Sequence, residues 1–455
     1  MTTDVMTGIE PSRKASQEAS RPKTVFVIGW ERFNTAFLKR IEKPEAYVFR
    51  PLLSYGEVVH PPYDVPKLIE KAHRSIDESG VRPDAIIAYW DFPSSFLLPL
   101  LRAEYGLSGP SLEAVLRCED KYWSRVLQSR VQPELVPRFQ AFDPFDDGAV
   151  AGIELPFPFW VKPIKAHSSH LGFKIHDRKE LARAVEIIRR GIDVFAVPFN
   201  DFLRRAKVPA EIARIDGYHC LAEEIISQGS QCTLEGYALS DTVEIYGIVD
   251  SVRTGRHRSS FARYQYPSRL PGHVTARMTA AAERLIRFLE FCNGPFNVEF
   301  YWDKARDDIK LLEINARISK SHCPLFYLVD GATHQQVAVR VALGESPDMP
   351  HRAGRYGVAG KFMLRHFTDA EVRRVPDESD IRRLERDVPD VFFRAMVETG
   401  QRLAHLPLQD SYSFEVAELF IGAENQKALL EKYERCLSYL PFEFEDTPAQ
   451  ARTGT

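Results

Sequence analysis

The chain has 455 residues, 44% of them hydrophobic, and its 60 Lys and Arg nearly balance its 63 Asp and Glu for a formal net charge of -3. Such a composition excludes disorder over most of the length and is long enough for two to four domains with a substantial core. The balanced charge gives no general electrostatic drive toward nucleic acid, which requires many uncompensated cations, and no nucleic-acid partner is expected.

Residues 1–22 and 447–455 mix Ser, Thr, Pro and charges without periodicity and read as disordered tails. No apolar run approaches the roughly 20 residues that span a bilayer, and the amino-terminal stretch lacks the apolar core of a signal peptide, so the expected setting is cytoplasmic with no membrane partner. Six cysteines (Cys118, Cys220, Cys232, Cys292, Cys323, Cys436) are scattered with no CxxC, which predicts reduced, mostly buried thiols rather than a zinc site or disulfide framework. From Thr24 the apolar runs TVFVIGW and DAIIAYWD alternate with the helical segments ERFNTAFLKRI and KLIEKAHRSIDESG. This α/β alternation predicts a parallel sheet with its ligand crevice at the carboxyl ends of the strands. The Pro- and Asp-rich stretch 140–159 reads as a loop leading to the strand FWVKPIKA, which the polar turn HSSHLG closes. One helix (Asp177 to Arg190) and the strands CLAEEII, QCTLEGYAL, VEIYGIVDSV, FNVEFYW and IKLLEIN follow, and a mixed segment begins beyond the Gly and Pro of 346–360.

The most informative stretch is FNVEFYWDKARDDIKLLEINAR, two strand-like runs flanking the polar KARDD. Pairing symmetric about Arg306 sets Glu299 opposite Glu313 and Asn297 opposite Asn315, all on one face, with Val298, Phe300, Leu312 and Ile314 on the other. Two carboxylates facing each other repel unless a proton or cation lies between them. Oxygen ligands without Cys or His favour Mg²⁺ or Mn²⁺, with positions left for phosphate oxygens. The bland alternative is an exposed polar face on an edge hairpin.

Over about Arg117 to Gly344 the sequence resembles the ATP-grasp superfamily of carboxylate-amine ligases. The resemblance implies an α/β fold with a Rossmann-like pre-ATP-grasp domain (23–116), an ATP-grasp domain (117–345, lid about 158–222) and a small mixed α/β carboxyl-terminal domain (355–446). It implies that Glu299, Glu313 and Asn315 hold Mg²⁺ ions bridging the phosphates of ATP, and that Arg317 stabilises the acyl-phosphate and tetrahedral adduct; the competing role for Arg317 is a plain ion pair with a nearby acid. Lys121, at the head of the helical CEDKYWSRVL, and Lys162, on FWVKP, match the two nucleotide-binding lysines, with Lys165 an alternative to Lys162. The turn His167 to Gly172 matches the loop that closes over the phosphates. Because it is poor in glycine, Ser168 and Ser169 are expected to donate hydroxyls. Glu223, Glu224 and the following Ile225 and Ile226 match the hinge that bonds adenine, and Gln231 stands where many relatives bind ribose with a Glu.

By the same resemblance the chemistry is ATP-dependent activation of a carboxylate, preferably of an amino acid, as an acyl-phosphate, followed by attack of an amine and release of ADP and phosphate. Glu235 is a candidate facing the second substrate, with an exposed strand residue the alternative; His322 matches a His that often follows the Arg in amino-acid ligases, with a structural role the alternative; and one or two arginines of the basic segment 253–269, Arg258 and Arg263 being undifferentiated, are candidates to bind the substrate carboxylate, with a solvated loop the alternative. A biotin-carboxylase-like carboxylase is the nearest differing chemistry, but its bicarbonate base would stand at Ser321. A nucleotide-binding regulatory protein without turnover is the alternative of another class. A homodimer is compatible with the resemblance.

Overall fold

Strands β1 (Lys23–Trp30), β2 (Tyr47–Ser54) and β3 (Ala85–Ala88) form a parallel sheet in the order β2-β1-β3. In this computed structural model, residues 21–166, 170–227, 229–254, 260–406, 409 and 413–446 are described. The unbroken apolar run Val25 to Ile28 is buried because helices Val65–Ser79 and Ser94–Glu104 pack against the sheet. The first of these starts at an Asp64 N-cap, buries Val65, Leu68, Ala72 and Ile76 at helical spacing, and stops at Gly80 in the left-handed region. β2 gave no clear strand signal, since only Leu52 and Leu53 of its eight residues are buried.

A second sheet contains β4 (Phe139–Phe142), β5 (Phe159–Pro163), β6 (Phe173–Ile175) and β7 (Cys220–Glu224), antiparallel in the order β4-β7-β5-β6. The stretch 140–159 is therefore not simply a loop: it holds most of β4 and the short helix Asp147–Ala151. The strand exists because Phe139 to Phe142 pairs with Glu223 to Cys220, a distant partner that local composition does not reveal. Nor does one helix follow β6. Arg178–Gly191 is succeeded by Asp193–Arg205 and Ala210–Ala213. The middle helix carries Pro198, which reads as a breaker, yet it is held in place by Phe195, Phe199 and Phe202 packing on Phe92 and Phe96.

The remaining strands are β8 (Ser230–Leu239), β9 (Thr242–Thr254), β10 (Ser260–Tyr266), β11 (Gly294–Asp303), β12 (Asp308–Asn315), β13 (Val358–His366), β14 (Ala370–Arg374), β15 (Phe392–Ala395), β16 (Phe414–Ala423) and β17 (Glu443–Asp446). Eight of them make one sheet in the order β12-β11-β8-β9-β10-β13-β16-β15, and β14 pairs with β17. Backbone hydrogen bonding between β10 and β13 thus carries the central sheet into the final segment of the chain. Between the three larger sheets lies a cleft of about 1490 Å³, lined by residues from every part of the chain described so far. Among the described residues no helix is long and apolar enough to cross a membrane.

Candidate functional site

The hairpin β11–β12 forms one wall. Asn297 pairs with Asn315, Val298 with Ile314 and Glu299 with Glu313, the register expected from symmetry. Beyond Glu299 a bulge shifts the pairing so that Phe300 meets Leu311. Leu312 is the extra residue, and the expectation that it joins the core face is corrected: Leu311 is buried there, while half-buried Leu312 lines the cleft and its carbonyl accepts a 2.7 Å hydrogen bond from Arg125. Val298, Phe300 and Ile314 are buried on the apolar face as expected.

On the cleft face, burial and then the facing Glu313 push the Glu299 carboxyl up to about 8. Among the described residues its side-chain hydrogen-bond partner is neutral, the Gln231 amide, whose Nε2 donates at 2.8 Å. Asn315 Nδ2 donates to Asn297 Oδ1 at 3.0 Å and Asn297 Nδ2 to the Arg317 carbonyl at 2.9 Å, which leaves Asn315 Oδ1 as an acceptor 3.5 Å from the Arg317 guanidinium. Arg317 itself pairs with Asp91 at 2.5 Å, and its Nε has no hydrogen-bond partner among the described residues. The acid that could fix Arg317 structurally is thus present, and both residues line the cleft.

Cations occupy the opposite wall. The helix Lys121–Val131 opens on an Asp120 N-cap that accepts from Tyr122 and Trp123 N–H, so Lys121 stands at its head and donates to the Ala166 carbonyl at 2.7 Å. Burial, and then Lys165, lower the Lys121 ammonium to about 8. Lys162 on β5 pairs with Glu223 at 2.5 Å, and Glu223 also accepts from Arg125 Nε at 2.7 Å. Burial alone raises the Glu223 carboxyl, but Arg125 and then Lys162 outweigh it and hold it at about 2. Lys165 is more deeply enclosed than Lys162, 2.8 Å from Glu119 and 4.8 Å over the Phe96 ring. Glu119 is fully engaged, since it also accepts from Ser95 Oγ and from the Ala316 N–H. Glu224 bonds Arg138 at the exposed rim, and Ile225 and Ile226 line the cleft beside it.

Two expected contacts are corrected by these positions. Gln231 presents no free amide to a ribose: its oxygen accepts from Arg253 and Tyr301, both at 2.9 Å, and its nitrogen serves Glu299, because its place on β8 directs it at the neighbouring β11. Glu235 does not line the cleft. It is fully buried, bonds His322 Nδ1 at 2.8 Å and accepts from the Ser319 N–H, while His322 is the member of the pair that lines the cleft. Burial raises the Glu235 carboxyl, but His322 and His334 reverse this and lower it. Ser168, Ser169 and Arg258 lie outside the described residues; His170 and Gly172, from the same turn as the two serines, line the cleft. Arg263 stacks over Phe362 at 5.5 Å. Sequence reasoning missed Arg125, Glu119, Asp91, Lys320, Lys361 and Arg394. Only Arg125 carried a usable signal, four residues past Lys121 on one helix face.

Residues 265–349 match the family described as carbamoyl-phosphate synthase L chain, ATP binding domain. Over 247 residues, 53% of this chain, the sequence is 25% identical to urea amidolyase of Lachancea kluyveri, and the match spans 12% of that protein. The crystal structure of L-amino acid ligase from Bacillus licheniformis superposes with a TM-score of 0.68 at 15% identity, covering 94% of this chain and 100% of the other. The biotin carboxylase domain of Hydrogenobacter thermophilus 2-oxoglutarate carboxylase, in complex with MgADP and bicarbonate, gives 0.62 at 14% identity, with 93% and 91% covered. The chain has the ATP-grasp fold, as the sequence resemblance implied.

Proposed function

We propose that this ATP-grasp chain is an ADP-forming ligase that activates a carboxylate, preferably of an amino acid, as an acyl-phosphate and joins it to an amine. The observation that carries the reading is the facing pair of carboxylates Glu299 and Glu313, set beside the Arg317 guanidinium and across from Lys121 and Lys162. Two half-buried carboxyls facing each other, one of them pushed up to about 8, fit a site completed by a cation. Glu299, Glu313 and Asn315 Oδ1 offer only hard oxygen donors, so they would hold Mg²⁺ or Mn²⁺, which when bound neutralises phosphate oxygens.

In this reading Lys121 and Lys162 bind the phosphates, the latter exchanging part of its contact with Glu223, and Ile225 and Ile226 flank the adenine. A carboxylate oxygen of the substrate attacks the γ-phosphorus as the bond to ADP breaks. The amine nitrogen then attacks the acyl carbon, the carbon–oxygen bond to phosphate breaks, and the amine gives up a proton. Arg317 steadies the charge that develops on the acyl oxygen, which is where a fixed guanidinium contributes most. His322, oriented by Glu235, borders the second substrate. Positioning and electrostatics suffice for such phosphoryl chemistry, so the free cysteines need no part in it.

A carboxylase is the second reading, favoured by the likeness to the biotin carboxylase domain. Ser321, at the position that the resemblance gives to the bicarbonate base, cannot serve as one at neutral pH. Pairwise screening of amino acids for ADP formation tests the choice. A productive pair should raise ADP release, and Glu313→Gln should lower it by more than the roughly 10–100-fold typical of losing an outer-shell partner of a metal ligand. ADP release that needs biotin and bicarbonate, or no added carboxylate at all, would overturn the ligase reading.

A further inference from the structure

Lys320 stands three residues beyond Arg317, at the start of the short turn Lys320–His322, with its Nζ 4.4 Å over the Trp90 ring. The indole is locked in place. Trp90 Nε1 donates to the Gly29 carbonyl at 2.6 Å, and Gly29 has φ of +78°, where a Cβ would come within 2.2 Å of the ring. Arg317 bonds Asp91 while Lys320 covers the adjacent Trp90, so Lys320 borders the position proposed for the reacting acyl group.

The charges around Lys320 are already matched to one another. Lys361 Nζ bonds Glu418 at 2.5 Å and Ser321 Oγ at 3.2 Å, and Arg365 pairs with Glu415 at 3.3 Å. Arg394 lies 3.9 Å from Glu31, whose carboxylate is chiefly engaged in capping the helix Arg32–Leu38 through the N–H groups of Phe33 and Asn34. Among the described residues the Lys320 side chain makes no hydrogen bond or ion pair, although Glu415 and Glu418 act on it from farther away. Burial pushes its ammonium down to about 8. Lys320 is half-buried, and an ammonium partly withdrawn from water without an ion-pair partner destabilises the free protein, a loss that contact with an aromatic face recovers only in part. A side chain that weakens the fold while lining a cleft has the character of a ligand-binding group.

We infer that Lys320, over the floor of Trp90, and Arg394, which lines the same cleft, form a subsite for an anionic group that the substrate carries in addition to the carboxyl group being activated. The ligand class is an amino-acid-like molecule with an extra carboxylate or a phosphate monoester. That assignment of the ligand as substrate rests on the ligase reading; the subsite itself rests on the unmatched charge. The two oxyanion types share the recognition chemistry, a charge-assisted hydrogen bond to an ammonium with a guanidinium beside it.

Calorimetric titration of the full chain with L-glutamate against L-glutamine, and with O-phosphoserine against serine, separates the two anions from their neutral counterparts. At least one charged member should bind about tenfold more tightly than its neutral partner, the size of one charge-assisted hydrogen bond, and Lys320→Met should erase the difference. The melting temperature of Lys320→Met should be unchanged or higher, because a neutral side chain of similar length replaces a half-buried charge that has no ion-pair partner. Equal binding of charged and neutral members, or a preference that survives in Lys320→Met, would overturn the subsite. The ligase reading is judged separately by ADP formation: a charge preference without ADP formation with any amino-acid pair removes the ligase and keeps the subsite, and the reverse result does the opposite.

Discussion

The two walls of the cleft treat their carboxylates in opposite ways. Glu119 and Glu223, on the side of the lysines, are each held by a cation and by further donors from Ser95 and Ala316 or from Arg125. Glu299 and Glu313, on the hairpin, face one another, and Glu299 receives a neutral amide. A matched charge is explained by the fold that matches it. An unmatched, half-buried pair whose Glu299 carboxyl is pushed up to about 8 fits something that arrives from outside. The same contrast separates Lys361 from Lys320. Removing a matched acid should therefore be felt first in stability, and removing a group aimed at the cleft should be felt first in turnover.

The largest effect on this scale belongs to Glu223→Ala. It would leave Arg125, which is 3% exposed, without its carboxylate and would free Lys162, the situation in which breaking a buried pair costs about 3–5 kcal/mol. Denaturant unfolding at neutral pH measures this. The acid limb gives an independent check. The folded-state pKa of about 2 lies below the ordinary 4.5, so the carboxylate's contribution is fully present above about 4.5 and is lost as pH falls toward 2. The gap between wild type and Glu223→Ala should close across that window, and a constant gap would show that the pair contributes nothing through charge.

Arg317→Ala comes next, and it tests a residue that belongs partly to both classes, since it bonds Asp91 yet keeps an unpartnered Nε beside Asn315. If its guanidinium acts on developing charge, turnover should fall by about 10²–10³ while nucleotide affinity and melting temperature change little. Loss of stability and ATP binding together, with turnover reduced only in proportion, would assign Arg317 to the matched wall.

The hairpin was legible because strand side chains alternate with period two, and a symmetric pairing around a short polar loop needs no other information. The bulge at Leu312 was not, since it depends on backbone geometry rather than on residue type. β4 stayed hidden in a Pro- and Asp-rich stretch because its partner β7 lies some eighty residues away. The helix Asp193–Arg205 stayed hidden because Pro198 argues locally against it and only the phenylalanine cluster argues for it. The pairing of Glu235 with His322 spans 87 positions, and nothing near either residue announces it. The unmatched charge of Lys320 is a property of its surroundings and has no sequence signature at all.

The smallest effect is expected from the residue beside the one with the largest. Glu224 is next to Glu223 and is also bonded by an arginine, Arg138, at 2.7 Å. Its side chain is 43% exposed and that of Arg138 64%, whereas Glu223 and Arg125 are 5% and 3% exposed. Water and salt screen the outer pair in both the folded and unfolded chain, and two long side chains must give up rotamer freedom to hold it, so the pairing does little for the fold. Glu224→Ala should leave the melting temperature unresolved from wild type at 0.15 M salt, and its acid unfolding profile should overlay that of wild type. If Glu224→Ala were instead as damaging as Glu223→Ala, burial would not be what distinguishes the charges of this cleft, and the contrast between its two walls would lose its physical basis.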